Sequence, residues 1–257
     1  MSRFISHTLT ITDRQAASIY SKSLLESTSQ HSHPIPLATI FNEFIARSPD
    51  LAKVIKDLNM LHTSEYVLGQ RERICDIRDL AKVVDLFDLL RSLMLCGLAI
   101  KVPQSYKTES RGRTIDKLVF QLPPYCFGST QSFFAPLLLF ERVRAVKFCA
   151  NKPVSMPVDA QRKSEGSDFV PFPPETLTIS CTHQSTGSVL DVLIATKPWH
   201  AGVAIKTLRI KELTSPSIPS LRRFLDHFGR EVVHLKLDFR FGCASSPFNW
   251  CHLMRSE

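Results

Sequence analysis

The sequence predicts an α/β fold in which short parallel strands form one sheet and helices lie on its outer face. The first observation is a recurring apolar–x–x–apolar–x–apolar pattern, which is typical of a short strand that buries one face. The second is a series of segments between these copies that carry apolar residues at helical spacing. Each strand and helix would bury its apolar face against the next unit, which is the organisation of a solenoid.

The strand pattern is complete in six copies, and two weaker copies, Leu9–Ile11 and Leu177–Ile179, lack the first position. The intervals between copies run from 25 to 35 residues, compared with roughly 20–29 residues in leucine-rich repeats. We therefore expect an irregular leucine-rich-repeat-like solenoid with seven of the strands side by side in one parallel sheet. The middle apolar residues of these strands are Leu58, Leu93, Leu118, Val146, Leu177, Leu208 and Leu235.

Five segments carry an apolar face at helical spacing, and for four of them a flanking residue predicts where the helix starts or stops. The first ends at Ser48-Pro49, the third follows the predicted N-cap Ser129-Thr130, and the fourth stops at Pro198. The fifth ends at Gly229, a favourable C′ residue. The five faces consist of Leu37, Ile40, Phe41, Phe44 and Ile45; Ile77, Leu80, Val84 and Phe87; Phe133, Phe134, Leu137 and Leu138; Val189, Leu190, Leu193 and Ile194; and Ile218, Leu221, Phe224, Leu225 and Phe228.

An ordinary doubly wound α/β domain is the alternative fold, since it also alternates strands and helices. Its central strands would be continuous runs of Val and Ile, whereas polar residues interleave in this chain, which favours the solenoid. We predict a single leucine-rich-repeat-like domain over residues 1–257, with loop insertions at 101–114 and 151–174, where Pro and basic residues are frequent. The second insertion is the best candidate for a boundary if the chain forms two domains.

The composition is that of a folded protein, with 44% hydrophobic and 22% charged residues. The first residues lack the apolar core of a signal peptide, and the longest apolar run, Phe133–Phe140, is too short to cross a membrane. We therefore expect a soluble protein with no membrane partner. The seven cysteines include no CxxC spacing, and several lie in apolar runs. This usage favours a reducing compartment, cytoplasmic or nuclear.

The sequence lacks motifs of catalysis and cofactor binding. It contains neither GxGxxG nor GxxxxGK[ST], and neither HExxH nor GxSxG. The pairs His31-x-His33 and Cys181-x-His183 lack a third metal ligand nearby, and His227 and His234 fit surface positions on either side of Gly229. We therefore predict that the chain is not an enzyme and has no catalytic, cofactor-binding or metal-binding residue.

The positions beside the buried apolar residues of each strand are expected to point to the concave face of the solenoid. Two of these residues are acidic, Asp57 and Asp238. Five are basic, and they form the predicted partner-binding set: Lys117, Lys147, Arg209, Lys211 and Lys236. Our hypothesis is a weakly basic stripe that binds an acidic protein segment, which the net charge of +8 also fits. The alternative is that these side chains are solvated and only prevent aggregation of the sheet.

Nucleic acid is the alternative partner, through the basic segments Lys101–Arg113 and Arg162-Lys163. These segments are not accompanied by an RNP-like aromatic pattern, a zinc finger or a helix-turn-helix. Nucleic acid is therefore not the favoured partner, and only weak non-specific binding is considered. A third alternative is a truncated or degenerate gene product without activity, because an uncapped solenoid exposes an apolar face at each end.

Three stretches resemble the fungal F-box-like proteins, in which an F-box precedes divergent leucine-rich-type repeats. They are His7–Asp13, Ser48–Leu58, and Ile205–Leu213 continuing through Pro219–Gly229 to Val233–Leu237. The resemblance covers most of the chain and implies a substrate-binding repeat region that selects targets for a ubiquitin ligase. The F-box would lie upstream of Arg3, so we expect no F-box in this chain and no binding of the Skp-type adaptor. The repeat's consensus asparagine is matched only at Asn151.

Overall fold

The computed structural model of this chain describes residues 7–12, 37–61, 74–103, 112–122, 134–150, 174–182, 185–196 and 205–239. Within these residues, ten strands form one sheet of eight and one sheet of two, and every pair of neighbouring strands is parallel. The strands are β1 (Thr8–Thr12), β2 (Asp57–Leu61), β3 (Ile74–Asp76), β4 (Ser92–Cys96), β5 (Ala99–Lys101), β6 (Thr114–Gln121), β7 (Arg142–Ala150), β8 (Thr176–Cys181), β9 (Thr207–Leu213) and β10 (His234–Phe239).

The larger sheet follows the order of the chain, β1-β2-β4-β6-β7-β8-β9-β10. The described strands therefore form an open sheet with β1 and β10 at its two ends, not a closed barrel. Its register confirms the predicted side-by-side pairing, because the predicted middle residues of the strands face each other directly. This row consists of Leu9, Leu58, Leu93, Leu118, Val146, Leu177, Leu208 and Leu235.

Helical segments connect the strands and pack on one side of the larger sheet. The α-helices are α1 (Leu37–Arg47), α2 (Pro49–Ala52), α3 (Ile77–Asp85), α4 (Ser185–Thr196) and α5 (Ile218–Phe228). Three short 3₁₀ helices span Ala135–Leu139, Ser215–Ser217 and Gly229–Glu231. The described part of the chain is thus a mixed α/β structure with a mostly parallel sheet.

One face of the sheet forms the core, and the other is open. Residues in β2 and β8 alternate between buried and partly exposed positions, as the period of two in a strand requires. The buried residues join helix residues in one apolar cluster, for example Leu58 with Leu80 and Leu193, which are all 0% exposed. The helices that the structure describes therefore cover one face of the larger sheet, and we call its other face the open face.

Two predicted helical segments differ in detail from the structure. In the third segment Phe134 is α-helical, but Ala135–Leu139 forms a 3₁₀ helix; this helix contains Pro136, which cannot donate a backbone hydrogen bond. Gly229 follows α5 as predicted, but its φ of −79° is right-handed, and a 3₁₀ turn continues the chain in place of a left-handed cap. The predicted caps Ser129-Thr130 and Pro198 lie outside the described residues.

The first predicted insertion, 101–114, is shorter than expected at both ends. Lys101 belongs to β5, which pairs with β3 in the small second sheet, and Thr114 begins β6. Three-residue strands carry too little alternation to be recognised from sequence. Residues 104–111 lie outside the described residues, and so does nearly all of the second insertion, 151–174.

Candidate interaction surface

The open face presents the positions that the sequence predicted for it, arranged in rows across the strands. Nearly all of the described side chains at these positions are partly or fully exposed, and Val119, at 7%, is the exception. The central row, which we call the middle row, has one residue from each strand. It consists of Thr10, Asn59, Met94, Val119, Lys147, Thr178, Arg209 and Lys236.

The five predicted partner-binding residues, which we call the basic stripe, lie on this open face, and three of them share the middle row. Arg209 and Lys236 are direct partners on β9 and β10. Lys147 lies two strands from Arg209 with Thr178 between them, which is about 10 Å at the usual strand spacing. The register therefore concentrates positive charge on the β7–β10 half of the face.

The other two members of the basic stripe lie on either side of the middle row. Lys117 is two residues before Val119 on β6, and its direct neighbour on β7 is Ala145. Lys211 is two residues after Arg209 on β9, and its direct neighbour on β8 is Ser180. Both side chains are exposed, so the stripe covers three rows of the open face.

The basic stripe differs from the two arginines at the start of β7. Arg144 pairs with Asp116 at 3.0 Å, and Arg142 pairs with Glu175. By contrast, none of the five stripe side chains has an ion pair or hydrogen bond with any other residue that the structure describes. Like charges directly opposite each other destabilise a sheet. An anion bound between Arg209 and Lys236 would relieve that repulsion.

A β-bulge shapes the end of the stripe. Between the pairs Ile210–Leu237 and Leu213–Phe239, β9 has two residues, Lys211 and Glu212, where β10 has one. The φ angle of Glu212 is +58°, which lies in the left-handed backbone region that residues other than glycine rarely adopt. Bulges of this kind redirect side chains at the end of a strand. No feature of the sequence predicted this one.

Apolar side chains occupy the neighbouring part of the open face. They form what we call the apolar patch: Leu61, Met94, Cys96 and Val119. Met94 is the direct neighbour of Val119, and Leu61 is the direct neighbour of Cys96. Burial raises the pKa of the Cys96 thiol, so this side chain is a neutral thiol at physiological pH. The sequence placed these residues on the face, but our sequence hypothesis weighed only the charged residues there.

On the other side of the apolar patch, polar residues of β1 and β2 are bonded to each other. The Asn59 Nδ2 amide donates to Thr10 Oγ1 at 3.2 Å, and Thr8 Oγ1 donates to Asp57 Oδ2 at 3.4 Å. The open face thus changes from internally bonded polar residues, through the apolar patch, to the basic stripe.

Arg113 belongs to the basic segment that was considered for nucleic-acid contact, but its side chain has an internal role. Its guanidinium donates to the carbonyl oxygens of Val84, near the end of α3, and of Phe87, the latter at 3.1 Å. A cation at the carboxyl end of a helix is favourable because unpaired carbonyl groups point there. Arg162-Lys163 lies outside the described residues.

The cysteines and histidines that the structure describes do not form a cluster with one another. Cys181 is 0% exposed, and His227 and His234 lie on the surface. Burial, assisted by the Asp79 and Asp76 carboxylates, raises the pKa of the Cys75 thiol to about 12. Among the described residues, no group of three or more His, Cys, Asp or Glu side chains is arranged to hold a metal ion. His31, His33 and His183 lie outside them.

Comparison with known proteins finds no relative. No family model matches the chain, and neither a curated protein nor a solved structure does. The resemblance to the F-box-like proteins therefore stays a prediction. None of the helices in the described part of the chain is long and apolar enough to span a membrane.

Proposed function

We propose that this chain is a non-enzymatic protein-recognition module, built as an irregular leucine-rich-repeat-like solenoid, whose open face binds an acidic segment of another protein. The basic stripe supplies the contacts. The strand order, which follows the chain without reversal, supports the solenoid. The described helices lie on one face of the sheet, which also supports the solenoid, because a doubly wound sheet has helices on both faces.

The observation that carries the proposal is the direct cross-strand pairing of Arg209 with Lys236, with Lys147 in the same row. No carboxylate of the described residues pairs with any of these three side chains. Acidic side chains of a partner would neutralise charges that repel one another in the free protein. Hydroxyl groups of Thr178 and Thr207, next to Arg209 on this face, can add neutral hydrogen bonds.

A biological setting comes from the resemblance to the F-box-like proteins. In that setting the acidic segment belongs to a protein selected for ubiquitination, and the described sheet recognises it. We propose no contact between the sheet and the Skp-type adaptor. Co-precipitation of the chain with this adaptor tests adaptor binding separately from target binding.

The direct test is the affinity of a fluorescein-labelled peptide of five Glu-Ser repeats, measured by fluorescence anisotropy. In an extended peptide all its carboxylates point to one side. The double variant Lys147→Glu, Arg209→Glu should bind at least about tenfold more weakly, because two attractive contacts become repulsive. The matched control is Arg222→Glu with Arg230→Glu, which changes the net charge equally at exposed positions on α5 and the turn after it.

The proposal expects the control to bind within about twofold of the unmodified chain, since long-range charge effects are screened at physiological salt. Equal losses in the two double variants would reduce the effect to net charge and overturn the assignment of the stripe. A duplex DNA oligonucleotide that binds more tightly than the peptide, with a steep dependence on salt, would decide for nucleic acid as the partner.

A further inference from the structure

We infer that the acidic partner segment also carries an apolar anchor, which binds the apolar patch while the acidic residues bind the basic stripe. This inference rests on the proposed function and names the kind of partner more closely. It depends on the juxtaposition of the two surfaces in one continuous row. Along the middle row, Met94 and Val119 of the apolar patch are followed directly by Lys147 of the basic stripe.

The patch has the features of an anchor site. Its four members lie on three adjacent strands and in two adjacent rows, so that their side chains form one contiguous surface. Leu61, Met94 and Cys96 are partly exposed, and covering them with an apolar side chain would remove further apolar area from water. The neighbouring polar residues of β1 and β2 already bond to each other, which bounds the patch on that side.

The register sets the spacing that the partner needs. Val119 and Arg209 are three strands apart in the middle row, which corresponds to about 14 Å. An extended peptide advances about 3.3 Å per residue, so about four residues separate the anchor from the acidic side chain that binds Arg209. The segment runs across the strands, because the apolar patch and the basic stripe are arranged in that direction.

The test compares three fluorescein-labelled peptides on the full chain by anisotropy. The bipartite probe is Leu-Leu-Ser-Ser-Ser-Glu-Ser-Glu. A second probe replaces both leucines with serine, and a third inserts eight further serines between leucine and glutamate. We expect the bipartite probe to bind about tenfold more tightly than either of the others, because apolar contact adds to charge pairing and a long linker weakens the coupling of the two.

A variant locates the anchor. Met94→Ser with Leu61→Ser should reduce affinity for the bipartite probe about tenfold and leave affinity for the serine-substituted probe unchanged. Circular dichroism of the variant confirms its fold, and the single variant Met94→Ser serves in its place if the double variant unfolds. Equal binding of all three probes, or equal loss for both probes in the variant, would overturn the inference.

The outcome for the proposed function remains separate. If the serine-substituted probe binds the unmodified chain but not the double variant Lys147→Glu, Arg209→Glu, then the proposed function holds whether or not the leucines add affinity. If the probes bind the chain through leucine alone, without effect of the charge reversals, then both the proposed function and this inference fail.

Discussion

At the scale of single residues, Arg113 shows how a basic residue can be structural. Sequence alone places it in a polar, Pro-containing segment, where a solvated or ligand-binding side chain is the ordinary expectation. The structure instead directs its guanidinium to two main-chain carbonyls near the end of α3. The contact joins residues 26 and 29 positions apart, and such a distant partner leaves no pattern in the sequence.

Replacement of Arg113 by methionine should therefore destabilise the chain. The variant keeps an apolar stem but leaves the carbonyl oxygens of Val84 and Phe87 without these donors, which costs about 1–3 kcal/mol. Urea unfolding measures the difference. Arg222→Met, at an exposed position of α5, is the control and should stay within about 0.5 kcal/mol. Equal stability of Arg113→Met and the unmodified chain would refute the structural role.

The buried thiol of Cys75 predicts how the stability of the chain changes at high pH. Burial raises its pKa from the ordinary 9.0 to about 12, so the folded thiol keeps its proton where the unfolded thiol loses it. The unfolded chain then binds fewer protons, and stability falls as the pH rises from 9 towards 12. Between pH 8 and pH 10 the Cys75→Ala variant should lose about 1 kcal/mol less stability than the unmodified chain. Parallel pH profiles from urea unfolding would contradict this.

At the scale of elements, the strands of the larger sheet could be predicted because their apolar residues have a period of two and one face is buried. A shift by one residue would expose that face, so the pattern also fixes the register. The short strands β3 and β5, the 3₁₀ helix around Pro136 and the bulge at Glu212 could not be predicted. Each depends on a local geometry or a distant pairing, neither of which has a periodic signature.

The strand β10, at one end of the described sheet, is less covered than its neighbour β9, and this predicts unequal effects of the same substitution. Leu208 of β9 is 0% exposed, whereas Leu235, its direct partner on β10, is 41% exposed. Leu208→Ala should cost about 2–5 kcal/mol, the usual range for a buried leucine. Leu235→Ala should cost less than about half as much, since less area is buried. Similar losses in urea unfolding would show that Leu235 is buried in solution.

At the scale of the whole molecule, the sequence predicted which residues share the open face. It did not predict how charged, ion-paired and apolar side chains are arranged there. Alternation within each strand was enough to place the five residues of the basic stripe on that face. Among the described residues, the stripe side chains have no ion pair, whereas Arg144 at the start of β7 pairs with Asp116. This contrast depends on distances between strands. That the apolar patch adjoins the basic stripe becomes visible only when Met94, Val119 and Lys147 are aligned in one row.

The most direct test of the central claim is to locate a bound acidic segment on the molecule. A photo-crosslinking residue, p-benzoylphenylalanine, is placed either at Thr176 on the open face or at Arg222 on α5. Each protein is irradiated with the peptide of Glu-Ser repeats, and the products are identified by mass spectrometry. The account predicts peptide joined to the chain at Thr176 and not at Arg222. Crosslinking at Arg222 with none at Thr176 would contradict it.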